Sequence, residues 1–208
     1  MSTIRDAYNR WSDRYDEQEN ATRDLDATLL PRLAPPLAGR VILEAGCGTG
    51  KNSVWLASQC ARLIGLDFSA GMLQRARARV AGAHVHFVQA DITVAWPLST
   101  AAVGAVLFNL VLEHVRDLGP VFSEAARLLP PGGALYVSEY HPARIAAGYG
   151  ATIAGEDGAV FGTFLNTEED YRAALVAAGF ILERAQAWGE EPGRPPRLLT
   201  LNATKASG

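Results

Sequence analysis

The sequence predicts an α/β fold in which one mostly parallel sheet is covered by helices on both faces. Helical and strand-like patterns alternate along the chain, and a glycine-rich turn joins the first apolar run to a helix. Three of the apolar runs carry a carboxylate at or next to their ends: Glu44, Asp67 and Asp91. At 208 residues and 49% hydrophobic content, the chain suits one domain with enough core to fold alone.

The elements follow in order. In residues 2–36, Ile4, Tyr8, Trp11 and Tyr15 recur at helical spacing and make one aromatic-rich stripe. Val41-Ile-Leu-Glu-Ala-Gly-Cys-Gly-Thr-Gly50 reads as a strand, an acid at its end and a tight turn, and Lys51 to Cys60 starts a helix. Residues 62–67 form a second strand ending in Asp67. Behind a Ser69 cap, Met72, Leu73, Ala76 and Val80 share one face of a helix over 69–81. Residues 84–91 form a third strand ending in Asp91, and a fourth ends at Asn109-Leu110-Val111. Leu118, Val121, Phe122, Ala125 and Leu128 mark a second sheet-covering helix, which Pro130-Pro-Gly-Gly133 ends before a fifth strand over 134–139.

Residues 140–166 are rich in glycine, and Asp157-Gly158 is a hairpin-turn signal between 151–154 and 159–161. Thr167 and the acids Glu168, Glu169 and Asp170 open a helix that Gly179 closes. Residues 180–188 and 197–203 read as two final strands.

The spacing of Gly46, Gly48 and Gly50 narrows the chemistry. A dinucleotide fingerprint needs its third glycine where Lys51 stands, and a phosphate loop needs Ser or Thr where Asn52 stands. A carboxylate at the end of the second strand can accept both ribose hydroxyls, and one at the end of the third can take an exocyclic amine. With Glu44, the strand ends surround an adenosine and a positively charged tail with acceptors, and no cation cluster awaits phosphates. S-adenosylmethionine is a ligand of that description.

Five segments then carry a resemblance: Glu44-Ala-Gly-Cys-Gly-Thr-Gly50, Gly65-Leu-Asp-Phe-Ser-Ala-Gly-Met-Leu73, Gln89-Ala-Asp-Ile92, Phe108-Asn-Leu-Val-Leu-Glu-His114 and Leu128-Leu-Pro-Pro-Gly-Gly-Ala-Leu135. Between about residue 38 and residue 140 the chain resembles class I S-adenosylmethionine-dependent methyltransferases of the small-molecule type. The resemblance implies a Rossmann-like three-layer α/β/α sandwich, with a seven-stranded, mostly parallel sheet and an antiparallel last strand. It implies methyl transfer to an O, N or S atom of a small metabolite. The cofactor residues it implies are Tyr15, Glu44, Gly46, Cys47, Gly48, Gly50, Asp67, Phe68, Ser69, Met72, Asp91, Ile92, Asn109 and Leu110. The single domain then divides into a lid (1–36), a cofactor-binding core (37–139), a substrate flap (140–166) and a C-terminal helix and strands (167–208).

Two histidines are candidates for catalysis. His141 follows the fifth strand at the presumed pocket mouth, and His114 ends the segment after the fourth. His84 and His86 point to one face of the third strand and read as structural. Arg75, Arg77 and Arg79 read as the solvated face of one helix.

A net charge of −3 offers no footprint for nucleic acid or an anionic membrane. Two cysteines make neither a disulfide framework nor a zinc site, so no metal is expected. No apolar run reaches a membrane span, and the start has no secretory segment, which reads as a soluble cytoplasmic protein, monomeric or homodimeric. Two other readings stay open. An NAD(P)-dependent oxidoreductase would keep the glycine turn and Asp67 but leave Glu44 and Asp91 unexplained, and a non-catalytic S-adenosylmethionine-binding module would keep every motif.

Overall fold

A computed structural model describes residues 3–151, 153–154 and 160–207. Two helices come first, α1 (Ile4–Trp11) and α2 (Ala21–Leu33), followed by β1 (Val41–Ala45), α3 (Ser53–Gln59), β2 (Arg62–Asp67), α4 (Ala70–Arg79), β3 (Val85–Gln89) and β4 (Ala105–Asn109). A single 3-10 turn spans Leu112–His114. Then come α5 (Leu118–Leu128), β5 (Ala134–Tyr140), α6 (Pro142–Ala146), the short strands β6 (Ile153–Ala154) and β7 (Val160–Phe161), α7 (Glu168–Ala177), β8 (Phe180–Trp188) and β9 (Leu198–Lys205).

Seven strands form one sheet in the order β3-β2-β1-β4-β5-β9-β8. β1 to β5 pair in parallel, while β9 runs antiparallel to both β5 and β8. The last strand in sequence is thus inserted between β5 and β8, a position that hydropathy alone does not encode. Alternation sends β4 side chains to opposite faces. Val106 and Phe108 join α5 and α7 through Phe122, Tyr171 and Leu175, and Ala105 and Leu107 join α2 and α3 through Leu30 and Leu56. Burial on both faces is what a parallel strand needs, and β4 is apolar and buried from Ala105 to Phe108.

The expected hairpin is present as an antiparallel β6–β7 pair; its turn signal, Asp157-Gly158, lies outside the described residues. Thr167 caps α7 in a reciprocal box with Asp170.

The arginines of α4 lie on its exposed face, as the sequence reading has it. Arg75 pairs with Asp13 at 2.7 Å and Arg79 with Asp16 at 2.6 Å, while Arg77 donates to the Phe87 carbonyl at 2.9 Å. Arg75 and Arg79 of this exposed face thus also tie down the N-terminal segment. Asn9 completes the docking, because its Oδ1 accepts from the Ser69 hydroxyl at 2.7 Å and the Gly71 N–H at 3.1 Å. A Cβ on Gly71 would stand 2.9 Å from the Asn9 carbonyl, so the approach of α1 to α4 requires glycine there.

Candidate active site

A cavity of about 580 Å³ opens at the carboxyl ends of β1 to β4, where open α/β sheets bind ligands. Its lining includes Tyr15, Glu44, Gly46, Cys47, Gly48, Asp67, Phe68, Met72, Asp91, Ile92, Asn109, Leu110 and His114, all named from sequence. Gly50, Ser69 and His141 lie off the lining.

The off-lining positions have physical reasons. Gly50 has φ +78°, and a Cβ there would meet the Ala76 backbone at 3.1 Å, so this glycine serves helix packing. Ser69 caps α4 by accepting from the Met72 N–H at 3.2 Å. His141 caps α6, its Nδ1 accepting from the Ala143 N–H at 3.2 Å, and half-burial holds its pKa below the usual histidine value. Its ring caps that turn, apart from the residues that line the cavity. The segment 140–166 includes this turn. Among its described residues none lines the cavity, and it packs against the 3-10 turn, where the Phe164 N–H donates to the Glu113 carbonyl at 2.8 Å.

The glycine turn is built for close backbone approach. The N–H groups of Gly46 and Cys47 donate to the Leu66 carbonyl at 2.8 and 2.9 Å, folding the loop over β2. Gly46 has φ +77°, and a Cβ on it would press to 2.3 Å from Val111. Gly48 has φ +52° with open space where a Cβ would stand, which leaves a cradle for a ligand. Leu110 also adopts φ 54°, and such outliers in non-glycine residues concentrate at functional sites.

Four strand ends present acceptors in sheet order. Asp91 follows β3, with Oδ1 taking the Thr93 N–H and hydroxyl and Oδ2 lying 3.7 Å from Arg5. Asp67 ends β2; Oδ2 accepts from the Gly48 N–H at 2.9 Å and Oδ1 from the Ser69 N–H at 2.8 Å. Burial raises its pKa to about 6 against the pull of those donors. Glu44 on β1 is buried against the Ser53 hydroxyl, which donates to it, and burial pushes its pKa up to about 8. Asn109 ends β4. Cys47 is also buried, and its thiol is held well above the usual value, which makes it a poor nucleophile.

The roof is α1 and the turn after it. The Tyr8 ring packs 5.6 Å from Phe68 and 5.6 Å from His114, and its hydroxyl lies 2.7 Å from His114 Nε2. Burial lowers the His114 pKa to about 4 and raises that of Tyr8, so both are neutral near pH 7 and the phenol donates. Glu113 beneath them is buried, and burial together with the Glu139 charge raises its pKa well above the carboxylate range. Glu139 accepts from the N–H groups of Val111 and Leu112 at 2.9 Å and so holds the 3-10 turn in place.

Sequence reasoning missed two lining residues of α2, Arg23 and Asp26. The Arg23 guanidinium lies 4.3 Å from the Tyr15 ring centre and donates to the carbonyls of Tyr15 and Gln18. Asp26 had a legible signal: with Leu29, Leu30 and Leu33 it falls on the apolar face of α2, where an acid needs a reason.

An α/β sandwich with a glycine cradle and carboxylates at successive strand ends defines a protein that holds a nucleoside-type cofactor. Residues 43–137 match the family described as a methyltransferase domain. A malonyl-[acyl-carrier protein] O-methyltransferase from Methylovorus is 32% identical over 187 residues, covering 85% of this chain and 62% of that protein. A demethylmenaquinone methyltransferase from Clavibacter sepedonicus is 37% identical over 110 residues, covering 52% of this chain and 44% of the relative. The chain thus spans less than two thirds of either relative's length. In fold it is similar to a structure described as a putative S-adenosylmethionine-dependent methyltransferase from Listeria monocytogenes, with a TM-score of 0.78 at 21% identity over 89% of this chain and 100% of that one. It is likewise similar to a 1,6-didemethyltoxoflavin-N1-methyltransferase from Burkholderia thailandensis, with a TM-score of 0.66 at 23% identity over 97% and 85%. Residues 43–137 are thus similar to methyltransferase domains, and the chain as a whole shares the fold of these solved structures.

Proposed function

We propose that the protein transfers a methyl group from S-adenosylmethionine to an O, N or S atom of a small-molecule acceptor. The observation that carries this reading is the single cavity in which the Gly46–Gly48 cradle, Asp67 and Asp91 meet beneath α1. Relatives named for O-methylation of malonyl-[acyl-carrier protein] and for an N1 position of a toxoflavin precursor support an oxygen or nitrogen acceptor.

The residues present suit the cofactor. Gly48 leaves room for backbone approach, Asp67 keeps lone pairs for ribose hydroxyls, and the Asp91 carboxylate serves an exocyclic amine. When bound, S-adenosylmethionine supplies an electrophilic methyl group. What the chain then contributes is position and dryness. Fixed alignment of two reactants is worth roughly 7–11 kcal/mol of barrier, and α1 with Tyr8 excludes water from the inner cavity. The Tyr8–His114 pair, neutral and hydrogen-bonded, borders the acceptor end, where a proton the acceptor must shed passes to the Tyr8 hydroxyl as the phenol's own proton moves onto His114 Nε2.

In this reading residues 1–36 act as the lid over the 37–139 core, 140–166 buttress the 3-10 turn that carries His114, and 167–208 complete the sheet. The protein works in the cytoplasm, as a monomer or homodimer, without nucleic acid. Among the described residues no helix is long and apolar enough to cross a membrane. Incubation with methyl-labelled S-adenosylmethionine and a cellular metabolite extract tests the proposal. Label transferred to an extractable small molecule supports it, and release of label only to water contradicts it.

A further inference from the structure

Tyr8 and His114 both line the cavity, and the proton between them restricts what can react beneath the roof. The Tyr8 hydroxyl donates to His114 Nε2 across 2.7 Å, so the phenol oxygen has only lone pairs left for a group that enters beside it. A reacting group that fits those lone pairs brings a hydrogen of its own, as an O–H or N–H donor. A carboxylate or a thiolate brings none.

Charge narrows the class further. Among the described residues of the cavity wall the cations are Arg5, Arg23 and Lys51. Each is engaged: Arg5 lies 3.7 Å from Asp91, Lys51 lies 2.8 Å from Asp24, and Arg23 donates to the carbonyls of Tyr15 and Gln18. Asp6, Asp26, Asp67 and Asp91 line the same cavity, so an anionic reacting group would enter among like charges with no cation set aside for it. A protonated amine fails for a different reason. It has no lone pair to attack with until its proton is gone, and burial holds the His114 pKa down to about 4, far below that of an ammonium group. A neutral O–H or N–H escapes both problems, because its proton leaves in step with attack. The rings of Tyr8, Tyr15 and Phe68 also line the cavity, with Tyr8 5.6 Å from Phe68 and 6.4 Å from Tyr15, and such surfaces pack best against another flat ring.

We infer that the acceptor carries its nucleophile as a neutral O–H or N–H on a planar ring, and that the Tyr8–His114 pair selects it against carboxylates and aliphatic amines. This rests on the proposed methyl transfer at this cavity and narrows its acceptor. In the step, the oxygen or nitrogen lone pair bonds to the methyl carbon as the carbon–sulfur bond breaks and leaves its electron pair on sulfur. The acceptor's proton passes to the Tyr8 oxygen and the phenol's own proton to His114 Nε2, so the positive charge lost from sulfur reappears on the imidazole.

Two measurements on the full chain test this. The first is a ligand-observed NMR titration of the protein saturated with S-adenosylhomocysteine, using phenol, benzoate and benzylamine, which share one ring and differ in the group it carries. Phenol is expected to bind at least about tenfold tighter than either of the others. Tyr8→Phe should weaken phenol by about fivefold or more and leave the other two within about twofold. No preference for phenol in the unaltered protein, or phenol binding untouched by Tyr8→Phe, overturns the inference. The second uses S-adenosylmethionine isotope-labelled in its methyl group with a cellular metabolite extract, and reads the methylated atom of the product from carbon–proton correlation spectra. An O–CH₃ or N–CH₃ group on a ring is the expected result. A methyl ester, an aliphatic N–CH₃ or an S–CH₃ group overturns the inference while leaving methyl transfer standing, and the absence of any labelled small molecule overturns the proposed function itself.

Discussion

The Tyr8 hydroxyl, on the first helix, lies 2.7 Å from Nε2 of His114, in the turn that follows β4 more than a hundred residues later. This bond closes the roof onto the core beside the cavity. Around it, Asn9, Asp13 and Asp16 tie the same segment to α4.

Tyr8→Phe keeps the ring packing against Phe68 but strands His114 Nε2 without its donor. We expect a stability loss of about 1–2 kcal/mol, the usual cost of a buried unpaired polar atom. Turnover should fall about tenfold, beyond anything the stability change explains. Chemical denaturation and steady-state kinetics on the same preparation check this. An unchanged kcat and KM alongside the stability loss would leave the pair with a packing role only.

His141→Ala tests the cap after the end of β5. Removing the cap of α6 should cost about 1 kcal/mol, with turnover held within about twofold. A rate loss of about 10²-fold or more would return His141 to catalysis.

Glu44 titrates in the folded state at about 8 and unfolded near 4.5, because burial disfavours its charge. With the folded value raised, its contribution to stability is full below about pH 4.5 and is lost as pH rises toward 8. Glu44→Gln keeps an acceptor for Ser53 and removes the titration. The stability difference between the native protein and the glutamine variant should therefore move against the native protein between pH 5 and 8, by at most about 1.4 kcal/mol per pH unit. Parallel stability curves over that range would contradict a buried, neutral Glu44.

Much of this architecture was legible in the chain because its signals are local. Glycine spacing gave the cradle, period and caps gave α4, α5 and α7, and the apolar runs gave the parallel strands. The position of β9 was not local: it rests on pairing between β5 and a strand almost sixty residues further on. His141 shows where local signals stop. Its place after β5 suggested the pocket mouth, yet the following Pro142 opens a helical turn that His141 caps, and sequence does not reveal which way such a side chain turns. The contact of Asp26 and the ion pairs of Arg75 and Arg79 were not legible because their partners, Asn109, Asp13 and Asp16, come together only through tertiary docking.

The most direct measurement is calorimetric binding of S-adenosylhomocysteine and of NAD to the native protein and to Asp67→Ala. The account predicts that S-adenosylhomocysteine binds, that NAD does not, and that the substitution weakens binding by about 2 kcal/mol or more. In the proposed site Asp67 offers acceptors to the ribose, and it holds the Gly48 N–H. Equal affinity of the native protein and Asp67→Ala for S-adenosylhomocysteine, or preferential binding of NAD, would contradict the account.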